Sequence, residues 1–307
     1  MVAKAGTIGH SCRRGWALGN APSTMLILLA VVLLALWFGL PRPSSGTPGA
    51  PLGSGAMFDA IAPYYDTANK FMSLNLDSSW RRSLVDELSL GEFPPDRKLD
   101  ILDIATGTGD VALMIAGDVV KLPGLADRTS IIGLDPSSRM LDFAREKAAA
   151  RHGQAAGGGP LVRFQRGNAE EAGDLTAQQQ SLFDKVTISF GIRNVPDRAK
   201  ALRNSAKVLK DPAASQVAIV EFATPRSGPL APLARAFLVY AVPLLGSLVA
   251  GRGHAAEYDH LRDSILSFPT PPQFVEIMEN SGLSNCQARN VFMDVVHLFS
   301  CRGFHQI

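Results

Sequence analysis

The chain has 307 residues, of which 46% are hydrophobic and 19% charged, with 30 Lys and Arg against 28 Asp and Glu. A disordered chain would be poorer in apolar residues and richer in net charge, and three cysteines cannot frame a small stapled scaffold of this length. A polytopic membrane protein is not expected, since only one apolar run approaches the length of a span.

The chain opens on a basic leader. Residues 1–58 hold Lys4, Arg13, Arg14 and Arg42 and no acid. From Asp59 onward 26 basic residues face 28 acidic ones, so the body gives no electrostatic case for nucleic acid. Met25–Leu40 (MLILLAVVLLALWFGL) carries no charge; as a helix it reaches about 24 Å, against roughly 30 Å of hydrocarbon core. A Pro/Ser/Gly linker follows from Pro41 to Gly55. Basic residues ahead of an apolar run fit a targeting segment. The favoured reading is a mitochondrial-type leader with an inner-membrane anchor. A secretory or plastid-type signal and a permanently retained anchor are the alternatives. Residues 1–56 are therefore set apart from a folded domain over 57–307.

The body alternates strands and helices. Strands are expected at 99–105, 130–135, 161–165, 183–190 and 216–222, with helices over 111–120, 138–152 and 198–209. A helix near 272–281 precedes two strands, 287–291 and 295–299, with no helix between them. The pattern predicts an α/β fold: a doubly wound, mostly parallel seven-stranded sheet ending in an antiparallel edge hairpin.

The first strand leads into Asp103-Ile104-Ala105-Thr106-Gly107-Thr108-Gly109-Asp110. Gly107 and Gly109 allow positive φ and close approach of a ligand, and the next helix offers its N-terminal amides. Asp103, Asp110 and Asp135 surround this turn. They would repel a pyrophosphate and favour a cationic ligand that carries ribose hydroxyls, as S-adenosylmethionine does. Asp135, closing the second strand, can accept from both hydroxyls. The competing reading makes these acids turn and helix-cap residues. The cysteines Cys12, Cys286 and Cys301 and the scattered histidines have no metal-ligand spacing.

Several segments resemble the ubiquinone/menaquinone biosynthesis C-methyltransferases. They are FDAIAPYYD at 58–66 with Asn69 and Ser73, Trp80-Arg81, the glycine turn, GNAEE at 167–171, FDKVTISFGIRNV at 183–195, and YDHLRDSI at 258–265 with Phe268-Pro269. They follow family order over nearly all of 57–307. The resemblance implies a class I, Rossmann-like methyltransferase that uses S-adenosylmethionine to methylate a polyprenyl quinol ring carbon. It places Thr108, Asp135, Asn168, Ala169 and Ser189 at the cofactor, beside Asp103, Gly107 and Gly109 of the turn. Three segments depart from the family pattern: SLNLDSSW at 73–80 lacks its Gly and His, KDPA at 210–213 replaces a Pro-Gly-Gly turn, and AGDLTAQQQSL at 172–182 is longer than usual.

For catalysis Arg193 is the first candidate, a permanent cation that would polarise the quinol oxygen or orient a water; the alternative is a salt bridge that fixes its loop. Tyr65, with Asp66, would orient the quinol or relay a proton, or would be a packed aromatic beside a helix cap. Asp110 would hold the methionine ammonium or assist the base, or serve as a helix N-terminal acid. His254 and His260 lie near the substrate-side segment but read more readily as structural or surface residues. The acid-free apolar stretch 225–251 suits a lid or membrane-facing helix. Expected partners are the quinol, a membrane surface, a complex of quinone-synthesising enzymes and a second copy of the chain. A benzoquinol acceptor is favoured. A naphthoquinol, another lipid acceptor, or a non-catalytic subunit of the same fold are the alternatives.

Overall fold

The computed structural model describes residues 55–73, 75–151, 161–172, 183–224, 231–236 and 255–305. The leader, its apolar segment 25–40, residues 173–182 and most of the stretch 225–251 lie outside these. Two helices, α1 (Ala56–Met72) and α2 (Asp77–Glu87), precede the sheet. Then follow β1 (Leu99–Ile104), α3 (Asp110–Val119), β2 (Thr129–Asp135), α4 (Ser138–Arg151), β3 (Val162–Arg166), β4 (Lys185–Ser189), α5 (Arg198–Lys207) and β5 (Gln216–Phe222). The remaining elements are α6 (Ala231–Ala236), α7 (Ala255–Leu266), α8 (Pro271–Asn280), β6 (Cys286–Phe292) and β7 (Val296–Arg302).

The seven strands lie in the order β3-β2-β1-β4-β5-β7-β6. The first five run parallel, and β7 is antiparallel to both β5 and β6. The expected sheet and its edge hairpin are therefore present. The inner strands are short, mostly apolar runs because both faces of the sheet are covered there, whereas the edge strands β3 and β6 are partly exposed. In β1 the alternation divides the core: Leu99 and Ile101 pack with Trp80, Leu84, Val111 and Ile115 on one face. Leu102 and Ile104 pack with Val186, Ile188, Phe274 and Phe299 on the other.

Strand order reverses between β1 and β4, and in an open parallel sheet a ligand crevice forms beyond the carboxyl ends at that point. The strand expected over 183–190 is shorter than its apolar run, because Phe190 leaves it with φ of 54°. Cys286 and Cys301 face each other across the β6–β7 ladder and form a disulfide, a pairing that the spacing of three cysteines did not disclose.

Candidate active site

Chain geometry beyond β1 is set by three residues with positive φ: Ala105 at 53°, Gly107 at 56° and Gly109 at 81°. Gly107 and Gly109 differ in what they need. A Cβ at Gly107 would meet nothing within 4 Å, so that glycine serves its φ. A Cβ at Gly109 would lie 2.9 Å from Phe164 Cζ and 3.0 Å from Ala144 Cβ, so packing as well as φ requires glycine. Beyond β4, a Cβ on Gly191 would overlap that of Ala105, which lets the two strand ends close together.

An open cavity of about 620 Å³ lies over these ends. Its walls include Gly107, Asp135, Asn168, Ala169 and Ser189 from the expected cofactor set. Asp135 is buried and accepts from the amides of Gly107 (2.8 Å) and Ser137 (2.9 Å). Burial pushes its carboxyl up to about 6, against those two hydrogen bonds. A carboxylate has roughly four lone-pair sites, so two backbone donors leave acceptor capacity. Asn168 Oδ1 caps the turn Ala169–Glu171 by accepting from Glu170 N at 3.0 Å. The buried Ser189 hydroxyl has no hydrogen-bond partner.

Three residues expected at the cofactor stand behind the wall. Asp103 accepts from Thr106 Oγ1 (2.6 Å) and Thr187 Oγ1 (2.7 Å), tying the turn to β4. Burial raises its carboxyl to about 6 despite those bonds. Gly109 is a packing residue. Thr108 donates to Asp66 Oδ1 (2.8 Å) and accepts from Lys147 Nζ (2.7 Å).

Lys147 also reaches Asp66 at 2.5 Å and Asp110 at 2.9 Å, joining α1, α3 and α4. Arg81, itself paired with Asp77, lies 3.6 Å from the other Asp110 oxygen. Asp110, at the start of α3, thus lies between two cations in a charge cluster and does not line this cavity. The atypical segment before Trp80 supplies this cluster's edge: Asn75 has φ of 62° and Ser73 Oγ donates to Asp77 at 2.9 Å.

Tyr65 does line the cavity, its ring edge-on to Phe58 at 6.2 Å. Burial raises its phenol above the ordinary value, and the positive charges of Arg81 and Arg193 and a hydrogen bond from Asn69 partly oppose this. It is therefore a protonated hydrogen-bond donor at neutral pH.

Arg193 is buried and off the wall. Its Nη1 donates to Phe190 O (2.6 Å) and to Glu221 Oε1 (2.8 Å), and its amide donates to Glu221 Oε2 (3.3 Å). These bonds secure the turn Ile192–Asn194 against a fully buried carboxylate. Asn194, one residue on, does line the cavity, and its Oδ1 is 3.3 Å from His260 Nε2. Sequence reasoning missed Glu221 and Lys147. Glu221 had a signal, as the one charged residue in the apolar run QVAIVEF; Lys147 is one of several charges on its helix. Among the described residues no cluster of His, Cys, Asp or Glu could hold a metal ion.

Residues 54–301 match the ubiE/COQ5 methyltransferase family. The ubiquinone/menaquinone biosynthesis C-methyltransferase of Geotalea daltonii is 35% identical over 244 residues, covering 80% of this chain and 93% of that protein. The demethylmenaquinone methyltransferase of Thermus thermophilus is 37% identical over 228 residues, covering 74% and 91%. Among solved structures, the CurJ carbon methyltransferase aligns with a TM-score of 0.54 at 15% identity, over 94% of this chain and 69% of that one. The magnesium protoporphyrin IX methyltransferase of Synechocystis aligns with a TM-score of 0.51 at 12% identity, over 84% and 100%. The two structural likenesses concern the fold.

Proposed function

The chain belongs to the ubiE/COQ5 methyltransferase family, and from that premise we propose that it methylates a ring carbon of a polyprenyl benzoquinol in ubiquinone biosynthesis. It is an S-adenosylmethionine-dependent C-methyltransferase. The cavity fits that cofactor: the Asp135 carboxylate has spare acceptor capacity, the Ser189 hydroxyl is unpartnered, and Gly107 leaves its side open. Asp135 would hold the ribose hydroxyls, with Asn168 and Ala169 toward the adenine. When bound, the cofactor supplies a methyl group made electrophilic by a sulfonium.

The protein's share of the chemistry is to make the acceptor ring nucleophilic and to place it. A hydroquinone hydroxyl near pKa 10 costs about 4 kcal/mol to ionise at pH 7. Tyr65 and Asn194, both on the wall, offer hydrogen bonds to that oxygen. The Arg193 charge behind them partly offsets the burial that raises the Tyr65 phenol. Phe58, Met140 and Phe190 supply apolar wall that limits water. Position contributes most, by holding the reacting carbon in line at about 3–3.5 Å.

The carrying observation is that one cavity holds the Asp135 carboxylate together with Tyr65 and Asn194. A second reading, a demethylmenaquinol-type naphthoquinol, is favoured by the names of relatives from Thermus thermophilus and Deinococcus radiodurans. The benzoquinol reading leans on the mitochondrial-type leader, and with it go residence at the matrix face of the inner membrane and assembly with other quinone-synthesising enzymes or a second copy. The test is incubation with S-adenosylmethionine and short-chain 2-methoxy-6-prenyl-1,4-benzoquinol or demethylmenaquinol, with mass spectrometry of the products. Methylation of the naphthoquinol alone moves the assignment to the second reading. A cofactor-binding protein that methylates neither overturns both.

A further inference from the structure

We propose that His260 is a positioning residue for methyl transfer: it fixes the Asn194 amide so that the NH2 end, and not the carbonyl, faces the cavity. The inference rests on the reading that a quinol oxygen binds on this wall.

A side-chain amide presents a donor or an acceptor according to which end its fixed partner takes. Asn194 closes the turn Ile192–Asn194 and lines the cavity. Its backbone is held by the neighbouring Arg193, whose amide and guanidinium are both bound to Glu221. Its Oδ1 lies 3.3 Å from Nε2 of His260, which projects from α7 onto the turn. With the imidazole proton on Nε2, the histidine donates and the amide oxygen accepts, which leaves the amide N–H groups for a ligand.

The charges around His260 keep it in that role. Burial lowers its pKa below the ordinary value, the Arg193 charge from the facing turn lowers it further, and Asp263 on its own helix opposes them. The ring is therefore neutral near pH 7, so no second cation joins Arg193 behind the wall.

The direction of the amide matters to the reaction. An N–H donor binds a phenolate oxygen more strongly than a neutral hydroxyl, so its contribution grows as charge develops. A carbonyl in the same place would prefer the protonated quinol and oppose ionisation. His260 thus sets the polarity of one wall without touching the acceptor.

The experiment measures kcat and KM for a short-chain quinol, cofactor affinity and thermal melting for wild type, His260→Leu, His260→Gln and Asn194→Ala. It also includes the double variant His260→Leu/Asn194→Ala. His260→Leu should lower kcat about tenfold or more, with cofactor affinity unchanged within about threefold, since one correctly aimed donor is lost. His260→Gln, whose amide can still donate, should recover most of the rate. In the Asn194→Ala background His260→Leu should cost little further, because the two act as a unit. Should His260→Leu fail to fold, His260→Glu carries the test: a carboxylate only accepts, turns the Asn194 amide over, and should depress kcat at least as far. An active wild type with kcat unaffected by His260→Leu or His260→Glu, or the same loss with and without Asn194, overturns the proposal. A wild type that methylates no quinol overturns the acceptor reading instead.

Discussion

Arg193 sets its Nη1 2.8 Å from Oε1 of Glu221, a carboxylate with no exposed surface at the end of β5. This one pair binds the turn that follows β4 to the neighbouring strand, and it decides how variants at either position will behave. Arg193→Ala leaves a buried carboxylate without its cation, which should cost about 3–5 kcal/mol and lower the melting temperature by several degrees. Arg193→Met combined with Glu221→Gln removes both charges and should regain much of that stability. Turnover should stay low in the double variant, because the positive potential behind Tyr65 and Asn194 is gone. Melting and turnover measured on all three proteins check this; turnover that recovers with stability would reduce Arg193 to an architectural residue.

Asp135 should make the unliganded protein more stable in mild acid. Its folded-state pKa of about 6 lies above the ordinary 3.8, and that of Asp103 does as well. Between those values the folded chain binds more protons than the unfolded one, so stability falls as pH rises through the window and the penalty is complete above it. Melting temperature without cofactor should therefore rise from pH 7 to pH 5. Asp135→Asn should stabilise the unliganded protein at pH 7 by on the order of 2 kcal/mol and flatten part of that slope. The same change should weaken S-adenosylmethionine binding by roughly 2–4 kcal/mol, as two charge-assisted hydrogen bonds are lost. Melting scans across pH and calorimetric titration with cofactor test the two halves; an Asp135→Asn protein of unchanged affinity would remove the residue from the site.

Lys147 should control how firmly α1 sits over the glycine turn. Lys147→Met removes the cation that Asp66 and Asp110 share, while Arg81 stays beside Asp110. The pairs are partly solvated, so the loss should be about 1–2 kcal/mol. Amide exchange in α1 should accelerate more than exchange in β1, and cofactor affinity should fall by a few fold. Equal exchange in α1 for the two proteins would contradict the assignment.

The domain should be separable from its leader just ahead of Gly55. That glycine, with φ of 78°, lines the cavity, and its carbonyl accepts from the Asp59 amide at 2.9 Å. Asp59 in turn accepts from Ser137 Oγ at 2.6 Å, which anchors α1 near the start of α4. A chain beginning at Ser54 should melt cooperatively and bind cofactor. One beginning at Met57, where the sequence put the domain start, should bind it more weakly. Equal affinities would show that the N-terminal anchor contributes nothing to the site.

These positions show which parts of the molecule were legible in the sequence. The inner parallel strands could be read because burial on both faces makes them short runs such as LDILDI or QVAIVEF, and the turn after β1 because its glycines are chemically required. Motif position also picked out segments that line the cavity. It did not tell which side chain of a turn points inward. In Thr106-Gly107-Thr108-Gly109-Asp110 only Gly107 reaches the cavity, while Thr108 and Asp110 turn toward Lys147. In Arg193-Asn194 the asparagine faces in and the arginine faces Glu221. Adjacent residues in a tight turn diverge, and the charged partners Lys147 and Glu221 lie 28 to 39 positions away, beyond any local pattern.

The close approach of Ala105 and Gly191 carries a consequence for how this sequence can drift. Two neighbouring strand ends share room for a single methyl group, and Ala105 occupies it. Neither position is free by itself: a side chain acquired at 191 is admissible only once the one at 105 has been shed. The pair should covary across descendants of this chain as Ala with Gly or Gly with Ala, and a library randomised at both sites should return those combinations and discard Ala with Ala.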